Sequence, residues 1–385
     1  MFIIQDCSPE IEYLNILTET HGSLFNVTAT AQSATVLTRD HNILVPSSPR
    51  AIRYDISVAV VAALDFILNC ILLQVLCLCG VVGNALNIVI LSRHGCRKPT
   101  NILLTSLSVS DLLFSVTQSL SRTWSIVARF DLNTALTLNS MYVVYVRSWN
   151  EAALTISIYQ VTMIALVRLL AVCCPLHVHR IFTPLRVKFL TCAIYIILVV
   201  LHSPIQVMYE IRWVPLIGNA TVAAYQPSHF YVSHTDGVNF YIAAILSNAR
   251  SSVPLTTVSV CSIIIILRLS ISNKLLDKQS DSIKKKARSI KSVKMLLTIC
   301  FSLMFLVLVP TTTFEAYISF GPDKAQLSCR LKIVVLYLSN ILFQFSCSVN
   351  FVVYVTMNSK FAKTYKQLFC SNQKPSPQKR KSFEK

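Results

Sequence analysis

The residues of this chain that are costly where they stand are polar groups set inside long apolar runs. Asp111 is the one carboxylate deep in an otherwise apolar stretch. A charge there costs at least ~2.5 kcal/mol in insertion terms unless it faces partners inside a helix bundle. Arg122, Arg147, Asn150, Glu151, Glu210 and Glu315 stand in the outer parts of such runs, where a polar side chain either points into a ligand cavity or snorkels to an interface. Ser157 and Arg168 lie three helical turns apart, which leaves them on one face and ~16 Å apart in height. Groups of this kind suit recognition and relay. Catalysis has no such support: the chain has no Cys-x-x-Cys pair, no His/Glu cluster and no glycine-rich phosphate loop, with only 7 Gly in 385 residues. Metal-hydrolase, redox and nucleotide-binding chemistries are thereby removed.

The elements that must position these residues follow from composition. With 54% apolar and 14% charged residues and a mean hydropathy of +0.58, lipid is the expected solvent. A helix needs about 20 apolar residues to cross the hydrocarbon core. Seven stretches qualify, at roughly 64–91, 101–127, 139–174, 187–209, 238–269, 293–318 and 333–356. In lipid the backbone must satisfy its own hydrogen bonds, so all seven are predicted to be helical, with kinks at Pro204, Pro254 and Pro310. No short alternating strands are visible. The 13 Cys are an odd number and mostly sit in or beside the apolar runs, so no disulfide framework is written in the sequence.

A net charge of +18 would also suit a nucleic-acid binder, and its distribution decides against that. The excess is concentrated in four segments: the first loop (Arg93, Arg97, Lys98), the second (Arg168, Arg180, Arg186, Lys188), the third with its flanks (Arg268 to Lys294), and the tail after Lys360. Everything else is net acidic, so these segments define the cytoplasmic side and the amino terminus is expected outside. That orientation, derived without them, also places the glycosylation acceptors Asn26 and Asn219 outside. The bland alternatives are that the basic loops signal topology alone and that either sequon arises by chance. Residues 1–57 read as an extracellular arm without a cleaved signal, 58–370 as the membrane domain, and 371–385 as a disordered basic tail.

Gly83-Asn84 in the first run, Leu107-Ser108-Val109-Ser110-Asp111 in the second, Arg168 at the end of the third, Pro204, Pro254 and Pro310, and Asn350-Phe351-Val352-Val353-Tyr354 in the last resemble the landmarks of the rhodopsin-like (class A) G-protein-coupled receptors. The resemblance implies an all-α seven-helix membrane bundle, at the plasma membrane, that binds an extracellular ligand and engages a heterotrimeric G protein and arrestin. It also implies a sodium ion on Asp111 with Ser157, Ser346 and Asn350, with Asn84 close by and Tyr354 part of the same core switch, and it implies that Arg168 meets the G protein. The alternative for Asp111 is a neutral carboxylic acid serving as packing glue. The stretch Arg168 to Leu176 followed by Phe182-Thr183-Pro184 is similar to molluscan chemosensory and FMRFamide-like peptide receptors. A seven-span ligand-gated channel or transporter is the rival class, and it would need polar residues along a continuous path.

The sequence also departs from the family pattern. The triplet at the end of the third run is Val167-Arg168-Leu169, with no acid beside the arginine; Leu308 stands where a Trp is usual and Phe351 where a Pro is usual, and the fourth run has Tyr195 but no Trp. Val143 occupies the position of the cysteine that normally bridges to the second extracellular loop, and residues 210–237 contain no Cys. Cys7 and Cys329 are then either bridged to each other or two free thiols. Asn150 stands where amine receptors carry an Asp, so the mixed charges around it suit a peptide or zwitterionic ligand. After Tyr354, residues 359–369 place Phe361, Tyr365, Leu368 and Phe369 on one face and lysines on the other, an interfacial helix followed by Cys370, which is a palmitoylation site or a free thiol.

Overall fold

The computed structural model describes residues 57–95, 98–215, 221–276, 298–301 and 329–369. Among them six helices are long and apolar enough to cross a membrane: Ala59–Arg93, Pro99–Val127, Leu132–Cys173, Pro184–Gln206, Thr235–Arg268 and Ile333–Met357. We call these spans one to five and seven. The predicted sixth span is described only at residues 298–301, so Pro310 and Leu308 lie outside the described residues.

Local signals set the helix ends. Ser57 caps span one, its hydroxyl accepting from the Val60 amide at 3.4 Å. Pro99 opens span two and Pro184 opens span four behind the Thr183 cap, each at a position where the missing amide hydrogen would have no partner anyway. Span three begins at Leu132, a full two turns before the predicted 139, because Asp131 caps it by accepting from Asn133 N at 2.9 Å and Thr134 N at 3.4 Å. It ends at Cys173 ahead of Pro175, which opens the short helix Pro175–Ile181. Span four stops at Gln206, two residues past Pro204. Span five is interrupted at Ser251, between Ser247–Arg250 and Ser252–Leu276, just ahead of Pro254, which has no amide hydrogen for the carbonyl of Arg250. Wide π turns at Phe66–Leu73, Tyr142–Val146 and Tyr241–Leu246 all fall in the half of the bundle away from the basic loops. Each adds a residue to its turn and so re-aims the side chains beyond it.

The absence of strands expected from the sequence is corrected in one place. Between spans four and five, Tyr209–Pro215 (β1) pairs antiparallel with Thr221–Pro227 (β2), Glu210 opposite Gln226 and Arg212 opposite Ala224. The run was too short and its alternation too irregular to stand out beside apolar helices. With Val143 in place of a cysteine, hydrogen bonds tie both the end of span four and this hairpin to span three. Gln206 Nε2 donates to Val144 O at 2.6 Å, the Ser148 hydroxyl bonds Gln206 Oε1, and Ala223 N donates to Thr137 Oγ1 at 3.3 Å. Beneath it Ile205, Met208, Tyr231, Val238, Ile242 and Leu246 form a small apolar cluster.

The main core joins spans one, two, three, five and seven through residues such as Leu103, Leu107, Phe114, Ile158, Ile164 and Tyr354. Span four contributes little to it and exposes Phe189, Ile196, Ile197 and Val200, a surface suited to lipid and not to water. Its anchor is Tyr195, whose hydroxyl donates to Ser106 O of span two at 2.8 Å. Glycine permits the closest approach of spans one and seven. A Cβ on Gly80 would lie 2.5 Å from both Gln344 Nε2 and Ser115 Oγ, and one on Gly83 would lie 3.0 Å from Phe351 Cβ. Phe351 therefore fills the space beside Gly83, and its ring meets Phe361 and Tyr365 of the terminal helix Ser359–Phe369 edge-on at 6.2 and 5.7 Å. That helix buries Phe361 completely and turns Lys360, Lys363 and Lys366 outward, as its amphipathic pattern predicts.

Candidate functional site

At mid-bundle the polar residues of four spans converge. Asp111 on span two is completely buried. Its Oδ1 accepts from the Ser157 hydroxyl at 2.5 Å and its Oδ2 from Asn350 Nδ2 at 2.7 Å, so one carboxylate ties spans two, three and seven. Span one joins through Asn84, whose Nδ2 donates to Gly80 O at 3.0 Å and Cys347 O at 3.2 Å. Gln344 of span seven extends the network, donating to Ser115 Oγ at 2.9 Å and Leu76 O at 3.3 Å. Tyr354 is buried on the same helix face as Asn350, and its hydroxyl has no hydrogen-bond partner among the described residues.

Asp111, Ser157, Ser346 and Asn350 line one cavity together with Leu154, Ile158, Val161, Ile299, Phe343 and Cys347. The cavity has room for one water or one small ion. The polar lining consists of a carboxylate, two hydroxyls and an amide whose nitrogen donates to the carboxylate. An all-oxygen set carrying one negative charge fits a hard cation.

The outer half carries a second group of polar residues. Glu151 on span three is 6% exposed and receives Arg250 Nη1 of span five at 2.9 Å. Next to it Thr155 contacts His202 Nε2 of span four at 3.2 Å. Asn150 donates to Thr117 Oγ1 of span two at 2.9 Å. Arg122 is buried against the Tyr337 ring, 5.5 Å from its centroid, and Arg147 is half-buried on span three. Glu210 is elsewhere: it sits exposed on β1 and accepts from Gln226 at 2.6 Å, because the chain leaves helix at Gln206 and turns into the hairpin. Asp111 also proves not to be alone as a deep carboxylate. Asp65 of span one is 1% exposed, with Asn69 donating to it at 2.9 Å and Arg129 forming an ion pair with it at 3.6 Å. Its place at the very start of an apolar run made it read as a flank.

At the basic end, Arg168 donates from Nη2 to Thr100 Oγ1 of span two at 2.9 Å. Neither Thr100 nor Arg250 stood out in the sequence. A lone Arg just before Pro254 was a usable signal, whereas Thr100 was one of many hydroxyls. Glu315, Asn26, Asn219, Cys7 and Cys370 lie outside the described residues, as does the side chain of Cys329.

A helical bundle with one buried carboxylate bridging spans two, three and seven, and an arginine near the basic end of span three, is the architecture of a membrane receptor. The chain belongs to the 7 transmembrane receptor (rhodopsin) family, which it matches over residues 83–354. It is also similar to the FMRFamide receptor of Drosophila melanogaster, 26% identical over 313 residues, which cover 78% of this chain. The match spans 53% of that relative, so this chain corresponds to about half of its length.

Proposed function

We propose that this chain is a plasma-membrane peptide receptor, amino terminus outside, that binds its ligand in the outer half of the bundle and activates a heterotrimeric G protein through the Arg168 end. Its similarity to an FMRFamide receptor supports a peptide as the ligand. The observation that carries the relay is the single helix of span three. It holds Asn150 and Glu151 in the outer half, places Ser157 on Asp111 at the centre, and presents Arg168 at the basic end. A shift at one end is therefore felt at the other through one stiff element. Arrestin would meet the same basic face. Asn26 and Asn219 as glycosylated positions and Cys370 as a lipid anchor complete this reading.

Asp111, Ser157, Ser346 and Asn350 would hold a sodium ion, whose charge would neutralise the buried carboxylate and favour the arrangement in which spans two, three and seven stay together. The chain's own part is to keep the carboxylate oriented by the Ser157 and Asn350 hydrogen bonds.

The test is G-protein activation in cells challenged with amidated and free-acid peptides. Arg168→Ala at equal surface expression should abolish the response. Full activation by that variant would overturn the coupling role. An epitope at residue 30 should stain on intact cells and one at residue 380 only after permeabilisation, and surface staining of both would overturn the orientation.

A further inference from the structure

Among the described residues, the outer half of the bundle sets four arginines, Arg122, Arg129, Arg147 and Arg250, against two deep carboxylates. Among the described residues its deep carboxylates are Asp65 and Glu151, and both are engaged, with Arg129 at 3.6 Å and Arg250 at 2.9 Å. Arg147 also acts on Glu151, and Arg122 comes in addition. Arg122 is 9% exposed, no carboxylate among the described residues lies within ion-pair distance of it, and its buried Nε has no hydrogen-bond partner among them. The Tyr337 face beneath its guanidinium attracts the charge but supplies no acceptor atom in the guanidinium plane. Glu151, Arg147 and Arg122 all act electrostatically on the Tyr142 hydroxyl, so the two arginines share one region of the outer half.

A guanidinium held out of water without an acceptor is unfavourable, and a planar fork of donors is the geometry that a carboxylate completes. Chance burial does not explain why the aromatic ring packs one face of the group and leaves its edge unused. We propose that the edge of Arg122, with Arg147 nearby, receives a carboxylate of the extracellular ligand. This rests on the outer half being the ligand site and names the ligand's chemistry: an anionic end is accepted there, while a cationic end is turned away. A peptide carboxyl group and a small organic acid share this chemistry.

The test uses the full-length receptor in lipid nanodiscs and reads its thermal midpoint. The probes at millimolar concentration are 3-phenylpropionate against 3-phenylpropionamide, and the tetrapeptide Phe-Met-Arg-Phe as free acid against its amide. A carboxylate that binds the folded state raises the midpoint, by a few degrees once its concentration exceeds its Kd severalfold. The expected result is a shift with an acid form and none with its amide, lost in R122Q. A shift with 3-phenylpropionate alone identifies a small acid as the source, and a shift with the peptide acid identifies a peptide carboxyl group. R122Q without probe should melt at or above wild type, since it removes a buried charge that has no partner. No acid-selective shift, or an equal shift in R122Q, overturns the proposal. So does a lower midpoint for R122Q matched by E315Q and not worsened in the double variant, because the acceptor would then lie within the chain. No G protein enters this readout. If the receptor reading fails, the acid-selective shift remains in a chain that does not signal, and if this proposal fails, the shift is absent in a chain that does.

Discussion

Arg168 of span three donates a hydrogen bond at 2.9 Å to the hydroxyl of Thr100, the second residue of span two, while its own neighbour Val167 is buried and apolar. An acid beside this arginine would hold it by charge; here a neutral hydroxyl from another helix does so. Hydrogen bonds to charged groups contribute roughly 1.5 to 3 kcal/mol, and less where water reaches them.

Loss of that restraint should be visible in signalling. Thr100→Val keeps the shape and removes the acceptor, and about 1.4 kcal/mol changes a two-state population tenfold. We expect ligand-independent G-protein activation to rise severalfold in Thr100→Val and to fall below wild type in Val167→Asp, each measured at equal surface expression. Unchanged basal activity in Thr100→Val would show that apolar packing around Val167 and Leu169 holds the arginine.

Glu151 and Arg250 form the shorter of the two ion pairs among the described residues, with side chains 8% and 14% exposed. Breaking such a pair leaves one charge stranded, at a cost of about 3 to 5 kcal/mol. Glu151→Gln and Arg250→Gln should each lower the thermal midpoint of the purified receptor clearly. The double variant should lose much less than the two losses combined. Additive losses would mean that each side chain has its main partner elsewhere.

Gly80 marks where spans one, two and seven meet most closely. In Gly80→Ala the new methyl would lie 2.5 Å from Gln344 Nε2 and Ser115 Oγ and 2.9 Å from Ser348 Oγ. Gln344 would have to withdraw and give up its bonds to Ser115, Ser348 and Leu76. Overpacking of this kind costs about 1 to 3 kcal/mol. A measurable loss of surface expression is expected, with Gln344→Ala in the same chain restoring part of it.

Depleting sodium tests the central cavity. Exchanging sodium for potassium outside the cell should raise ligand-independent signalling of wild type, and Asp111→Asn should be insensitive to the exchange because it lacks the charge that attracts the ion. Equal responses in both would remove sodium from the account.

His94 closes span one and contacts Thr364 Oγ1 of the terminal helix at 2.8 Å through Nε2. Burial, then Lys360 and Lys98, hold its imidazole below the ordinary value of 6.5. A lowered folded pKa means that this position contributes its full stability above 6.5 and loses it as pH falls through the lowered value, when a positive ring would face the two lysines. The thermal midpoint should therefore drop between pH 7.5 and 5.5 less steeply in His94→Asn than in wild type. Identical slopes would remove His94 as the titrating group.

Much of this architecture is legible in the sequence because lipid leaves few choices. Runs of about 20 apolar residues favour spanning helices and a carboxylate such as Asp111 inside one must find partners, so the six described spans could be read from chain order and residue type, while Ser157 and Asn350 were named as partners of Asp111 by the family resemblance. What tertiary structure decided was which of many eligible groups meets which. Several hydroxyls stand near the basic end, yet only the packing of span two against span three selects Thr100 for Arg168. Only the approach of spans three and five commits Glu151 to Arg250. Asp65 meets Arg129, more than sixty positions along the chain, the end of span four is tied to Val144 through Gln206, and the hairpin bonds Thr137. The hydrogen bonds that link one helix to another depend on rotation and depth within the bundle. Those are set by the packing of all the helices together, and no local stretch of sequence encodes them.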